Sequence, residues 1–319
     1  IEDRPGTFSV KGNDPSRLSW LRYRHLVPNQ DQWRAILRGR DPDREPTPSL
    51  IDDFSSYNTN QGRNEIQSPP IVEPHWVGDL FVEFDLEVES RRGRFVIELI
   101  EAGVSNRCTI DLAEGQATLT RDGVVLGTPQ VCGIEGPGRY RVAFSNIDDR
   151  LTLWVDGRTP FGEGVSYDVD RSVPLPPTTA DLSPVGLGAD GAEVRVSGLV
   201  LRRDIYYTLE PNASDLQGFG TLRTLDELLW LQMAMSDPSR FPDLARLDEP
   251  RTFAIRPGRY MMMGDNSPRS KDSRAWSRLE AEGVYYDDTN RRWDIGPWSD
   301  LDRASHEVPE ELIVGKAFF

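Results

Sequence analysis

The chain is 319 residues long, which is enough for two domains of ordinary size, each with its own core. Charged residues make up 28% and hydrophobic residues 37%, a soluble globular composition that excludes a disordered chain. The formal net charge of -15 argues against a nucleic-acid backbone or an anionic membrane surface as the main partner, because both attract clustered positive charge.

The first segment, residues 1 to about 70, has no sustained hydrophobic periodicity and is rich in Pro, Asp, Arg and Asn. Its aromatic residues are Trp20, Tyr23, Trp33, Phe54 and Tyr57. We predict an irregular segment that wraps a folded body, with one short helix over Asp31–Arg38.

The middle segment, residues 71–207, alternates apolar and polar residues in short runs. Leu80, Val82 and Phe84 alternate with Phe81 and Glu83, which is the period of a half-buried strand. Similar runs lie near residues 95–99, 108–112, 118–126, 140–144, 151–155 and 194–201. Closely spaced strands with almost no helix predict a β-sandwich or barrel.

One of these runs also carries a hairpin signal. Asp122-Gly123 separates two strand-like stretches, and this dipeptide favours a tight two-residue turn.

The stretches GRYRVAFSNIDDRLTLWVDGRTPF (138–161) and VGLGADGAEVRVSGLVLRRDIYY (185–207) resemble the concanavalin/laminin-G type of jelly-roll sandwich. In that fold a strand pair ending in a Val-Asp-Gly turn precedes the strand that closes the domain. The resemblance implies an antiparallel sandwich over residues 71–207.

The two cysteines, Cys108 and Cys132, are too few for a disulfide framework, and their spacing matches no zinc site. They lie on neighbouring predicted strands, so they could pair in an oxidising compartment. Two free cysteines, at least one of them a small core residue, are the alternative.

The last segment, residues 208–319, has a different character. Thr224 to Glu227 form a capping box ahead of an apolar run that reaches Met235, which predicts a helix of about three turns. A strand over Arg251–Ile255, a Pro257-Gly258 turn and an apolar strand, Tyr260–Met263, follow.

The sequence GDNSPRSKDSR, residues 264–274, then crowds acids, bases and hydroxyls into one loop. Asp and Asn accept hydrogen bonds from turn amides, while Gly and Pro set the backbone. No histidine lies near it in sequence, since the only three are His25, His75 and His306, so nothing supports a Ser-His-Asp triad. From the residues alone, a structural or binding turn is favoured.

This loop, together with VPEELIVGKAFF at 308–319, resembles two ordered C-terminal motifs of type I signal peptidases. The long strand-rich insertion and the region around Trp20, Tyr23, Arg24 and His25 resemble the enlarged signal peptidases of planctomycete-type bacteria, which carry a sandwich inside the catalytic domain. The resemblance implies a mainly β protein in which residues 208–319 form the C-terminal part of a signal-peptidase catalytic domain.

The resemblance also implies roles for individual residues. In this family a serine nucleophile is activated by a lysine that must be neutral, and burial favours the neutral form. Ser270 takes the position whose hydroxyl orients that lysine. Asp272 and Arg274 match an ion pair that braces the site, and Asp265 and Asn266 match its supporting turn.

Met262 falls where the family places an apolar side chain against the lysine stem. The family's Ser-Met-x-Pro and Lys-Arg-x-x-Gly-x-Pro-Gly-Asp motifs do not occur between Ile1 and Phe319, so we assign neither nucleophile nor base to these residues. We expect residues 1–319 alone to be inactive, and we expect a membrane anchor, the nucleophile and the base to precede them in the gene product.

Two functions follow from these features. The first is a serine endopeptidase that acts on preprotein signal peptides at the extracytoplasmic face of the cytoplasmic membrane, with no cofactor, metal or nucleic acid. The alternative is an extracytoplasmic binding protein without catalysis, whose sandwich recognises carbohydrate or protein. Trp154 could stack on a sugar there, although packing under a neighbouring loop is the favoured interpretation.

Overall fold

The computed structural model describes residues 2–4, 6–12, 14, 17–53, 75–170, 175–205, 207, 233–240, 253–264, 272–273, 284–287, 292–295, 307–310 and 313. Backbone contacts divide the chain into two compact units. Unit 1 comprises Ile1–Asp53, Pro74–Asp204 and Leu229–Ala245, and unit 2 comprises Phe54–Glu73, Ile205–Leu228 and Arg246–Phe319.

The strands of unit 1 are β1 (Glu2–Arg4), β2 (Thr7–Lys11), β3 (Ser19–Tyr23), β4 (Leu26–Val27), β5 (Thr47–Pro48), β6 (Asp52–Asp53), β7 (His75–Trp76), β8 (Leu80–Val88), β9 (Arg94–Glu101), β10 (Val104–Asp111), β11 (Gln116–Arg121), β12 (Val124–Val131), β13 (Gly138–Ile147), β14 (Arg150–Val155), β15 (Val165–Ser166), β16 (Val185–Asp190) and β17 (Glu193–Arg203). Those of unit 2 are β18 (Arg259–Tyr260), β19 (Val284–Asp287), β20 (Arg292–Ile295) and β21 (Val308–Pro309).

The helical elements in the described part of the chain are short. They are α1 (Gln30–Leu37), two 3-10 helices (Thr179–Leu182 and Pro238–Arg240) and a helical turn at 233–236. The helix predicted over Asp31–Arg38 is therefore confirmed as α1. The helix predicted towards Met235 is helical at 233–236, and its capping box at Thr224 lies outside the described residues. No described helix combines the length and the apolar character that a bilayer crossing requires.

Two antiparallel sheets form the body of unit 1. The seven-stranded sheet has the order β1-β2-β17-β8-β13-β14-β15, and the six-stranded sheet has the order β12-β11-β10-β9-β16-β3. The chain moves from one sheet to the other several times, as in a jelly roll, and the predicted mainly β sandwich fold is confirmed.

One apolar core is shared by the two sheets. The inward residues of β8 alternate as the sequence predicts, and Phe84 on this strand is fully buried. Its ring meets Phe95 of the opposite sheet edge to face, with centroids 6.0 Å apart. Such a pair adds a directional contribution to the burial of apolar area.

The prediction of irregular chain before residue 70 is wrong for the described part of that segment. β2 pairs with β17 next to β1, the edge strand of the larger sheet, and β3 pairs with β16 at an edge of the smaller one. Both strands pair with partners more than 160 residues later in the chain, so no local sequence pattern predicts these pairings. The three-part domain division of the sequence stays a prediction.

The β3 pairing also explains two glycines of β16. Trp20 of β3 lies over Gly186 and Gly188, where a Cβ atom would come within 3.0 and 2.9 Å of the indole ring. The Arg22 guanidinium covers the ring at 4.1 Å from its centroid. Trp20 therefore packs between these two glycines on one side and Arg22 on the other.

The hairpin predicted at Asp122-Gly123 joins β11 to β12, and both turn residues have positive φ, 47° and 80°. These angles suit the tight turn that Asp-Gly favours. Of the two cysteine alternatives, the free one is observed: Cys108 and Cys132 are unpaired, buried thiols.

Candidate functional site

The described residues at the two ends of the GDNSPRSKDSR loop are joined by three hydrogen bonds. The Ser273 amide donates to the Met262 carbonyl at 3.0 Å, and the Met262 amide donates to the Ser273 Oγ at 2.9 Å. The Gly264 amide donates to the Asp272 Oδ2 at 2.9 Å. These bonds bring Gly264 and Asp272 together across residues 265–271, so the base of the loop is closed.

Burial makes these bonds strong determinants of the local structure. Ser273 has no exposed surface and Asp272 is 7% exposed. A buried backbone amide needs an acceptor, and the Ser273 hydroxyl and the Asp272 carboxylate supply two of them. Ser273 is thus a structural group, because its hydroxyl is buried and engaged by the backbone.

The strand that leads into the loop is held from a second direction. Arg259–Tyr260 (β18) pairs with Val308–Pro309 (β21), within the VPEELIVGKAFF motif. The Glu310 amide donates to the Gly258 carbonyl at 3.0 Å, and Gly258 has a φ of 71° that favours glycine. The two C-terminal motifs identified in the sequence are therefore neighbours in unit 2.

A buried carboxylate, Glu307, fixes the segment before β18. Its Oε1 accepts from the Arg256 amide at 2.6 Å and its Oε2 accepts from the Arg256 Nε at 2.7 Å. The Arg259 Nε lies 3.8 Å from the same Oε2. Burial alone would raise the pKa of Glu307, but the bonds from Arg256 outweigh it and hold the pKa below its usual range.

Of the site residues predicted from the sequence, Met262 and Asp272 are described. Met262 takes part through its backbone, and its residue surface is 44% exposed. Its predicted packing against a lysine stem stays a prediction. Asp272 braces the loop through Gly264.

The other predicted site residues, Ser270, Arg274, Asp265 and Asn266, lie outside the described residues.

Sequence reasoning missed two residues of this site. Ser273 follows Asp272 directly, and a Ser after an Asp in a turn-rich run is a signal for side-chain to backbone hydrogen bonds. Glu307 precedes the terminal motif by one residue, but its partner Arg256 is 51 positions away, so no local pattern could pair them.

The outer face of the larger sheet carries a ladder of ion pairs. Arg141 pairs with Glu83 at 2.8 Å and with Asp85 at 2.9 Å, and Arg195 pairs with Glu87 at 3.1 Å. A polar groove of about 870 Å³ runs along this face. Its charged groups neutralise one another, which is how a solvated sheet face limits the cost of like charges.

Trp154, the residue considered for sugar stacking, lies on β14, and its ring contacts Phe81 of β8, which β13 separates from β14. Its ring centroid lies 5.5 Å from that of Phe81, with the planes tilted by 57°. The expected packing under a loop is not what the described residues show, because the ring contact of Trp154 is with a residue of β8 in the same sheet. Among the residues that the structure describes, no group of three or more His, Cys, Asp or Glu side chains is placed to bind a metal.

Comparison with known proteins adds one family match. Residues 221–290, which include the whole GDNSPRSKDSR loop, match the family described as signal peptidase, peptidase S26. No curated protein matches the chain.

Three solved structures are similar to part of this chain. The carbohydrate-binding module CBM66 from Bacillus subtilis is 14% identical, with a TM-score of 0.30 over 41% of this chain and 80% of that one. The galectin LEC-6 from Caenorhabditis elegans is 15% identical, with a TM-score of 0.28 over 40% of this chain and 84% of the galectin. Sheep galectin-11, in complex with glycerol, is 9% identical, with a TM-score of 0.28 over 50% of this chain and 100% of the galectin.

The hydrogen-bonded base of the loop, residues 262–264 and 272–273, lies within the range that matches this family. Residues 221–290 are therefore similar to a signal peptidase, which supports a signal peptidase role only in this coarse sense.

Proposed function

We propose that the chain is the C-terminal portion of a type I signal peptidase, a Ser/Lys-dyad endopeptidase that removes signal peptides from secreted preproteins. The observation that carries the proposal is the hydrogen-bonded base of the loop, where Asp272 and Ser273 bind the backbone of Gly264 and Met262. This base lies inside the signal-peptidase region.

In the proposed mechanism the loop positions the catalytic groups. Ser270 precedes Asp272 by two positions in the sequence, and in this mechanism its hydroxyl orients the general-base lysine. Asp265, Asn266 and Arg274 complete the support. A lysine can act as base only when it is neutral, so its ammonium form must be disfavoured by an apolar setting.

The nucleophile and the base are supplied by a part of the gene product outside residues 1–319. The reason is that neither motif that carries them in this family occurs in this sequence. In this proposal the assembled enzyme works on the extracytoplasmic face of the cytoplasmic membrane, where preproteins emerge during secretion.

The proposal is tested with the protein encoded by the complete gene and a preprotein that has a small-x-small cleavage site. We expect cleavage by this protein, a large loss with Ser270→Ala, and no cleavage by residues 1–319 alone. Ser166→Ala, on the exposed part of β15, is the matched control and should cleave as the unmodified protein does.

Two results would contradict the proposal. One is the absence of cleavage by the complete gene product in detergent or lipid. The other is cleavage by residues 1–319 alone that Ser270→Ala abolishes, because Ser270 would then be the nucleophile.

A further inference from the structure

One carboxylate of unit 2 binds both the backbone and the side chain of the same arginine. Glu307 accepts from the Arg256 amide through Oε1 and from the Arg256 Nε through Oε2. The Glu307 side chain has no exposed surface, and the Arg259 Nε approaches it as a third donor. Because charge-assisted bonds in pairs fix direction as well as distance, Glu307 holds the chain at Arg256 in one place and one orientation.

These bonds also set the register of two short strands. Glu307 immediately precedes β21, and Arg256 lies three residues before β18. The two strands pair over only two positions, Arg259 with Pro309 and Tyr260 with Val308, and Pro309 has no amide hydrogen to donate. So short a pair specifies its register weakly. The bonds from Glu307 to Arg256 therefore supply much of the specification.

The strand β18 leads directly into the base of the GDNSPRSKDSR loop. Met262 follows β18 by two residues, and its amide donates to the Ser273 Oγ. The Gly264 amide, two residues further on, donates to the Asp272 Oδ2. A shift of β18 along β21 would move Met262 and Gly264 away from both acceptors. The position of the loop base thus depends on a contact that lies outside the loop.

We propose that Glu307 is a positioning residue of the peptidase site, which fixes the base of the loop by holding Arg256 and, through it, β18. Glu307 acts through these elements, so it is not a catalytic residue. The catalytic consequence rests on the proposed function, whereas the structural part rests on the hydrogen bonds alone.

Positioning explains this ion pair better than stability does. A buried ion pair adds little net stability, because the cost of removing the charges from water offsets their attraction. That cost falls mainly on Glu307, since the Arg256 side chain is 36% exposed. Directional bonds, in contrast, fix the positions of particular atoms. Loss of the Glu307 charge should therefore displace the loop base more than it unfolds unit 2.

The structural part is tested by hydrogen exchange on the 319-residue chain. Glu307→Gln keeps the size of the side chain but turns an amide donor towards one of the two Arg256 donors. We expect the Met262 and Gly264 amides to exchange about tenfold faster. The amides of β19 and β20, which pair with each other, should keep their rates and show that unit 2 remains folded.

The catalytic part is tested by preprotein cleavage with the complete gene product. Glu307→Gln should lower kcat by about tenfold or more and leave KM within about twofold, because misplaced catalytic groups slow turnover without weakening substrate binding. Arg256→Gln removes only the side-chain bond, so its loss should be smaller. A residue that only stabilised the fold would leave kcat per folded molecule unchanged.

Glu163→Gln, at an exposed turn position of unit 1, is the matched control for both measurements and should behave as the unmodified protein does. Unchanged exchange at Met262 and Gly264 in Glu307→Gln would overturn the inference, whatever the cleavage result. Faster exchange with an unchanged kcat would overturn its catalytic part. If the unmodified gene product does not cleave, the proposed function and the catalytic role both fail, and the exchange rates still decide whether Glu307 positions the loop base.

Discussion

The two units bury different kinds of side chain. In unit 1 the centre is apolar, with rings such as Phe84 and Phe95 fully buried between the sheets. The buried residues that the structure describes in unit 2 are Pro309 and three polar ones, Asp272, Ser273 and Glu307. Apolar burial stabilises without direction, whereas buried hydrogen bonds fix the positions of particular atoms. Unit 1 is therefore stabilised mainly by apolar burial, whereas buried hydrogen bonds fix the positions of particular atoms in the described part of unit 2.

The largest effect should come from the core of unit 1. Phe84→Ala removes a fully buried ring and its contact with Phe95, and we expect the free energy of unfolding to fall by about 3–5 kcal/mol. Urea denaturation of unit 1 measures this change. Val124→Ala, at an exposed position of β12, should cost less than about 0.5 kcal/mol. A loss below 1 kcal/mol for Phe84→Ala would mean that the apolar core is not the main source of stability.

A smaller effect is expected at the base of the loop in unit 2. Ser273→Ala removes the acceptor of the Met262 amide, and leaving one buried bond unmade costs about 1–3 kcal/mol locally. Hydrogen exchange at the Met262 amide should become faster by a corresponding factor. If the amide exchanges at the unmodified rate in Ser273→Ala, the positioning role of this hydroxyl is wrong.

The third prediction concerns a carboxylate of unit 1 that lies among other acids. Burial, and then the charge of Glu101, raise the pKa of Asp79 from 3.8 to about 6. The folded state therefore keeps this proton more readily than the unfolded state, so the contribution of Asp79 lowers stability as the pH rises from about 4 to 6.

Asp79→Asn removes this dependence. We expect it to raise the free energy of unfolding by about 1 kcal/mol at pH 7.5 and to have no effect at pH 4. The expected gain is small because Asp79 is only partly buried, so solvent screens its charge. Thermal melts at the two pH values measure it, with the exposed Asp168→Asn as the control. An equal effect at both pH values would contradict the proposed cause.

The smallest effect should come from the ion-pair ladder of unit 1. Arg141 is 42% exposed and pairs with Glu83 and Asp85, and exposed pairs contribute less than about 1 kcal/mol. Arg141→Gln should lower stability by no more than this, and the difference should vanish in 1 M NaCl because salt screens surface charges. A salt-independent loss would show that Arg141 acts by packing instead.

The contrast between the units also explains what the sequence could predict. Alternation along Leu80–Val88 and the Asp122-Gly123 turn are local signals, and both predicted the structure correctly. β2 and β3 escaped prediction because their partners, β17 and β16, lie more than 160 residues further along the chain. A sandwich built from strong local patterns was predictable in kind, but not in its complete strand order.

At the candidate site the motif located the loop, and the structure adds a bond from the Gly264 amide to Asp272, while the ion pair of Asp272 with Arg274 stays a prediction. The motif did not reveal that Ser273 binds Met262, nor that Glu307 binds Arg256. Those bonds form only when segments come together in the folded protein, and the spacing of residues in the sequence does not predict such contacts.

The most direct test of the account measures kcat/KM for preprotein cleavage by the complete gene product after substitution of Asp272. Asp272→Ala removes the acceptor of the Gly264 amide and should lower kcat/KM by about tenfold or more, since small misplacements of positioning groups cost about this much. Asp272→Asn keeps an acceptor oxygen and should recover part of the loss, while Arg141→Gln should cleave normally. Cleavage by Asp272→Ala at the unmodified rate would contradict the central claim that this loop base positions the site.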